Sequence, residues 1–289
     1  MTAEQRRTAV AYVQEAAEAA GAPLSQRRAC RYLGVHRTPV RYASRRAPDA
    51  ELRGRLRELA AEKPRWGYKR LHWLLRREGA AVNHKKVHRL YREEGLSVRR
   101  RPRKRPARAR VERPAPGGPN VRWSMDFVRD TTAGGRVCRA PTIVDDCTRE
   151  CVAIEVDTSL PGARVAQVLE RLAGTRGVPA AISVDNGPEF AGRALDAWAH
   201  GRGVALEFIR PGKPVENAYI ESFNGRLRDE CLNAHWFLSV ADARREIAAW
   251  RAEYNGARPH GGLAGRTPEQ FAREHERQRL VPNPTRLSA

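Results

Sequence analysis

The sequence is short of several things, and each shortage excludes a class. Its five cysteines, Cys30, Cys138, Cys147, Cys151 and Cys231, are irregularly spaced and contain no CxxC pair. That pattern excludes a disulfide scaffold and argues against a cysteine-based structural zinc site. No run of ~18 apolar residues occurs, so no helical membrane span is expected. No N-terminal apolar stretch resembles a secretory leader, and a cytoplasmic protein with no membrane association is expected. Acidic residues are scarce beside basic ones, 33 against 54. Aromatics are few and not clustered, which speaks against a platform for stacking single-stranded RNA bases.

What is abundant is arginine. The formal net charge is +21, a field that draws in polyanions and speeds their encounter. Guanidinium groups match phosphate geometry in a bidentate way, so nucleic acid is the first partner to consider. A chain of 289 residues holds about two domains of ~150 residues. Residues 1–98 read as helical and basic. Ser25 to Arg45 reads as a helix, a Gly34–Val35 turn and a second helix opened by Thr38 and Pro39. Tyr68 to Glu78 carries Leu71, Leu74 and Leu75 at helical spacing and is closed by Gly79. Asn83 opens His84 to Glu94, with Val87, Leu90 and Tyr91 on one face. Such pairs are either DNA-binding helix-turn-helix units or plain helical hairpins. Residues 99–110 read RRRPRKRPARAR. Proline breaks any helix there and like charges repel, so 99–119 is expected to be a basic linker.

The pattern changes from 120. Strands are expected at Val121–Phe127, Val137–Val144, Cys151–Val156, Ala180–Val184 and Val204–Ile209, although Pro141 is awkward inside a central strand. Helices are expected at Ala163–Leu172, Phe190–His200, 216–232 and 240–254. Three strands followed by alternating helices and strands predict a mixed α/β layered domain over 120–275, with a tail at 276–289.

Three acids stand apart. Asp126 lies inside an apolar strand, Asp185 ends one and enters a turn, and Glu221 lies on a helix. Alone, each has a bland reading: a strand-end Asp is usually a turn cap and a helix Glu a solvated group. Converging carboxylates would instead suit Mg2+, which takes hard oxygen ligands and leaves room for phosphate.

The segments WSMDF, IVDDCTRE, SVDNGPEF and RPGKPVENAYIESFNGRLRDE together resemble the integrase-type core of bacterial DDE transposases. So do RWGYKRLHWLLRREG, VNHKKVHRLYREEGL, and Tyr254-Asn255 with Arg258-Pro259-His260. Asp185 and Glu221 are separated by 35 residues, the DD(35)E spacing. The chain is most similar to second-reading-frame (OrfB-type) transposases of the insertion-sequence-three family, over about residues 25–273. The resemblance implies an RNase H-like core behind a small helix-turn-helix region. It implies Asp126, Asp185 and Glu221 as catalytic ligands of two Mg2+ ions, with Mn2+ able to substitute. It further implies double-stranded DNA as partner, a homo-oligomer on that DNA, and help from an upstream reading-frame product or a fusion with it.

Asn217, Glu221, Asn224 and Arg228 fall on one helical stripe, and Ile220, Phe223, Leu227 and Cys231 on another. Gly225 between them suggests a close backbone approach. Arg228 is expected to contact a DNA phosphate, the alternative being an ion pair with Asp229 or Glu230. Asn224, Lys213, Lys85, Lys86, Arg99, Arg100, Arg101, Arg103, Lys104 and Arg105 are further candidate DNA contacts. Asp145 and Asp146 read as turn acids, and Asn186 as either a substrate contact or a turn cap. His84 and His88 would give zinc only two ligands and read as helix-surface residues. A DNA-binding regulator without catalysis fits the basic first half equally well; the intact acidic triad argues for the enzyme.

Overall fold

A computed structural model describes residues 1–42, 49–98, 116–185, 187, 190, 192–210 and 217–280. The stretch 99–115, with the candidates Arg99, Arg100, Arg101, Arg103, Lys104 and Arg105, lies outside the described residues, as do Asn186 and Lys213. By contacts the chain divides into two compact units, Met1–Leu52 and Arg53–Ala289.

The first unit holds α1 (Ala3–Ala19), α2 (Gln26–Tyr32) and α3 (Arg37–Arg41) around Val10, Ala29, Cys30 and Val40. Thr2 and Gln5 form a reciprocal capping box that starts α1. The α3 cap is His36, not Thr38, and it makes no side-chain capping bond. Thr38 and Pro39 instead sit in the first turn, where proline costs no hydrogen bond.

In the second unit α4 (Ala50–Glu62) from Arg53 onward, α5 (Tyr68–Arg77) and α6 (His84–Glu93) precede the sheet. Asn83 caps α6 by accepting from the Lys85 amide at 2.8 Å. Gly79 turns the chain out of α5 with φ +91°, a conformation glycine adopts without strain. These helices pack against the end of the chain. Arg77 donates to the carbonyls of Ala257 and Gly265 at 2.8 and 3.0 Å. Trp73 lies so close to Gly265 that a Cβ there would fall 2.6 Å from the indole. From Arg53 on, α4, α5 and α6 share one contact unit with the sheet.

The sheet has the order β3-β2-β1-β4-β5. β1 (Arg122–Thr131), β2 (Val137–Asp145) and β3 (Cys151–Ile154) are antiparallel neighbours. β4 (Ala181–Val184) and β5 (Ala205–Phe208) run parallel to β1. Alternation along β1 sends Trp123 and Met125 to one face, against α7 (Gly162–Arg176) and α8 (Arg193–Arg202). It sends Val128 to the other, with Ile220, Phe223 and Leu227 of α9 (Ala218–Glu230) and with α10 (Val240–Gly256). Pro141 sits inside β2 at an interruption of the ladder to β3: its carbonyl accepts from the Glu155 amide at 3.4 Å, it has no N–H to return the bond, and pairing resumes at the Arg139–Asp157 bridge. A last helix, α11 (Pro268–Leu280), runs past the expected end of the core. Among the described residues no helix is long and apolar enough to cross a membrane.

Candidate active site

The site begins with strand register. Ser124 on β1 pairs with Ser183 on parallel β4. Two residues further along each chain stand Asp126 and Asp185. The strand period is two, so both carboxylates leave the same face, on strands ~4.8 Å apart. It is the face covered by α9. Each is half-buried.

Asp126 is held from three sides. Its Oδ1 accepts from the Phe127 amide at 2.7 Å and its Oδ2 from Asn224 Nδ2 at 2.8 Å. The Thr142 hydroxyl on β2 sits 2.9 Å from Asn224 Oδ1 and 3.1 Å from the Asp126 carbonyl oxygen, and so fixes which way the Asn224 amide faces. Burial pushes the Asp126 carboxyl above its ordinary value; the Phe127 and Asn224 hydrogen bonds pull it back, the Asp185 charge adds to the rise and the Arg228 charge opposes it. Asp185 accepts from the Gly187 amide at 3.0 Å, which closes the turn after β4.

α9 delivers the rest. Ile220, Phe223, Leu227 and Cys231 are fully buried and anchor it to the sheet, so the polar stripe beside them is fixed in orientation. Asn217 and Asn224 are buried on that stripe, whereas Glu221 and Arg228 are exposed. Glu221 lies one turn before Asn224 on the same edge. Among the described residues no three His, Cys, Asp or Glu side chains are grouped closely enough to hold a metal ion. The structure thus brings Asp126 and Asp185 together with Asn224 and leaves Glu221 at the rim.

The donors present fit a hard divalent cation. Two carboxylates share a partly desolvated face with the buried Ser183 Oγ and Asn217 Oδ1, and among the described residues neither of these oxygens has a hydrogen-bond partner. Orphaned buried oxygens beside like-charged acids are costly unless a cation or ordered water completes them. Thr142 and Ser183 escaped the sequence reading, although their places two residues from inward-facing positions of their strands could have revealed them.

Arg228 donates to the Arg129 carbonyl at 3.3 Å. Glu230 is occupied by Arg258 at 2.6 Å and Arg70 at 3.2 Å, so it is not the partner of Arg228. Gly225 has nothing within 4 Å of where its Cβ would be and faces solvent; the expected close backbone approach is absent within this chain. Asp145 and Asp146 are structural acids. Asp145 accepts from the amides of Cys147, Thr148 and Asn120, and Asp146 from Ser124 and Arg122. Lys85 and Lys86 are exposed on α6, as are His84 and His88.

Models described as integrase core domain match residues 116–214 and 202–268, and one described as HTH-like domain matches 48–105. The 31.7 kDa protein of insertion element IS407 from Burkholderia multivorans is 51% identical over 256 residues, covering 87% of this chain and 92% of that protein. The transposase InsD of insertion element IS2 from Escherichia coli is 26% identical over 244 residues, covering 80% and 81%. A chain of the simian T-cell lymphotropic virus intasome superposes with a TM-score of 0.50 at 16% identity, covering 81% of this chain and 79% of that one. At that identity the likeness concerns the fold, a mixed sheet of the RNase H-like type.

Proposed function

The chain belongs to the second-reading-frame transposases of the insertion-sequence-three family, and we propose that it cuts and joins DNA strands through a divalent-metal site built on Asp126, Asp185 and Glu221. The observation that carries this reading is the Ser124–Ser183 register of adjacent parallel strands, with Asp126 and Asp185 each two residues further along, on the face covered by the helix that bears Glu221.

The three carboxylates would hold Mg2+, or Mn2+ in its place, which when bound supplies charge stabilisation for an in-line displacement at phosphorus by water or a 3′-hydroxyl. The protein's own part is placement. Phe127 and Asn224 fix the Asp126 carboxylate by one donor to each oxygen. Thr142 fixes Asn224 in turn. Arg228, on the same edge of α9 as Glu221, is set to neutralise a phosphate of the strand being cut. The exposed Lys85 and Lys86 of α6 and the basic run 99–105 add sequence-independent affinity by counterion release. Double-stranded DNA, a second copy of the chain and an upstream reading-frame product, free or fused, complete the proposed assembly.

The test is a strand-transfer assay on duplexes carrying the terminal repeats that flank the gene, with Mg2+, Mn2+ or chelator. Transfer is expected only with metal, and Asp126→Asn, Asp185→Asn and Glu221→Gln are each expected to abolish it while leaving melting and DNA affinity close to those of the parent. A variant that transfers normally removes its residue from the site. Specific DNA binding with no transfer under any metal would identify a regulator instead.

A further inference from the structure

α9 has two polar edges, and only one carries Glu221 and Arg228. Residues two apart on a helix point ~200° apart, so Tyr219 and Arg226 lie on the opposite flank. Against that flank stands Arg149, in the turn between β2 and β3. Its guanidinium carbon is 3.5 Å from the centroid of the Tyr219 ring. Arg149 has φ +63°, a left-handed conformation that costs a side-chain-bearing residue energy, and its amide is tied to the Asp145 carbonyl at 2.9 Å. The turn and the ring therefore hold this cation in one place.

Among the described residues neither arginine is neutralised, and Arg149 Nη1 is buried with no hydrogen-bond partner there. Arg226 donates to the Ser222 carbonyl at 3.1 Å, and among the described residues neither side chain forms an ion pair. Burial and the charges of Arg258 and Arg149 all act against the Arg226 cation. Glu230, the acid whose charge reaches it, is spent on Arg258 through bonds of 2.7 and 2.6 Å. His260 nearby is neutral and adds no negative charge. Two half-buried guanidiniums that repel each other, with a single carbonyl acceptor and no ion pair among the described residues, are expensive to keep. An anion with several oxygens supplies what is missing.

We propose that Arg149 and Arg226, braced by Tyr219, bind a backbone phosphate of DNA at a place separate from the Glu221–Arg228 edge. This rests on the reading that the chain handles DNA strands, and it adds a second point of grip. The two edges are a helix width apart, ~10 Å, so the flank is free to hold a different stretch of DNA from the one being cut.

The test uses the full chain. Arg149→Gln and Arg226→Gln are compared with Arg245→Gln, an exposed arginine paired with Asp242 that removes the same charge elsewhere. Each site variant is expected to weaken binding of a random-sequence duplex roughly tenfold. Each should also reduce the salt dependence by about one phosphate's worth, a slope change of ~0.9. Arg226→Lys is expected to recover part of both. Affinity and slope equal to those of Arg245→Gln would overturn the proposal. In the unaltered protein, duplex DNA is expected to protect Arg149 and Arg226 from an arginine-specific dicarbonyl reagent, read by peptide mass spectrometry. No protection by DNA, or protection by inorganic phosphate alone, would equally overturn it. These readouts need no strand transfer: a chain that fails to transfer but shows the protection loses the proposed function and keeps this site.

Discussion

Asn224 donates a 2.8 Å hydrogen bond from Nδ2 to Asp126 Oδ2, and the Thr142 hydroxyl lies 2.9 Å from the other end of the same amide. Thr142 thereby decides that Asn224 presents a donor, not an acceptor, to the carboxylate. Partners that orient a metal-binding group are worth about 10–100-fold in affinity or activity when lost. Asn224→Ala is therefore expected to raise the Mg2+ concentration needed for strand transfer by about that factor. Thr142→Val, equal in shape, should do the same more weakly, and Thr142→Ser should restore it. Direct metal titration by calorimetry checks this independently of activity; an unchanged midpoint in both Asn224→Ala and Thr142→Val removes the relay.

Arg228 is exposed and close enough for its charge to act on Asp126. Arg228→Ala is expected to weaken binding of element-end DNA and slow transfer, with metal affinity nearly kept. Arg228→Lys should retain part of the activity, since the charge survives without the bidentate fork. Parent-like affinity and rate in Arg228→Ala, measured at moderate salt, would sink the assignment.

Two glycines are expected to respond in opposite directions. Gly225 sits inside α9 with open space around it, so Gly225→Ala should stabilise the protein by ~1 kcal/mol. Gly265 has φ +85° and Trp73 at 2.6 Å from a would-be Cβ. Gly265→Ala combines a left-handed residue, ~1–2 kcal/mol, with overpacking, ~1–3 kcal/mol. Urea denaturation should show the loss, and Trp73→Leu should recover part of the steric share; a neutral Gly265→Ala would mean the indole moves aside freely.

His260 sets part of the acid sensitivity. Burial, then the charges of Arg258, Arg226 and Arg70, push its pKa down from 6.5 to about 2. The unfolded chain takes up this proton near 6.5 and the folded chain only near 2. Between those values the unfolded state binds more protons, so stability rises with pH and is lost as pH falls. Acidifying from neutral to about pH 5 should therefore destabilise the parent more than His260→Gln. Equal pH slopes for the two would show that the ring is not held neutral.

Much of this was legible from sequence. β2 is bounded by turn residues, and its expected and observed starts coincide at Val137. The two stripes of α9 followed from periodicity alone: its buried residues are Ile220, Phe223 and Leu227 of the apolar stripe together with Asn224 of the polar one. What sequence could not show is long-range. Nothing local says that Trp73 and Arg77 will dock on Gly265 and Ala257, because neither partner carries a pattern. α11 was not expected, because its charged sequence, PEQFAREHERQRL, has no sustained apolar stripe. Pro141 looked wrong for a central strand because the sequence does not show that one missing bond can be skipped, with pairing resumed at Arg139 and Asp157. The Arg149–Tyr219 stack joins a turn to a helix with no motif to announce it.

The alignment of Ser124 with Ser183 has a consequence for how such a gene can drift. The segments joining β1 to β4 can gain or lose codons with little effect on where the two aspartates meet, because the parallel pairing re-establishes their alignment. A single codon deleted within β4 is different: with period two, it turns Asp185 through to the α7–α8 layer. Length variation among descendants of this gene should accordingly gather in the connections and leave both strands at constant length.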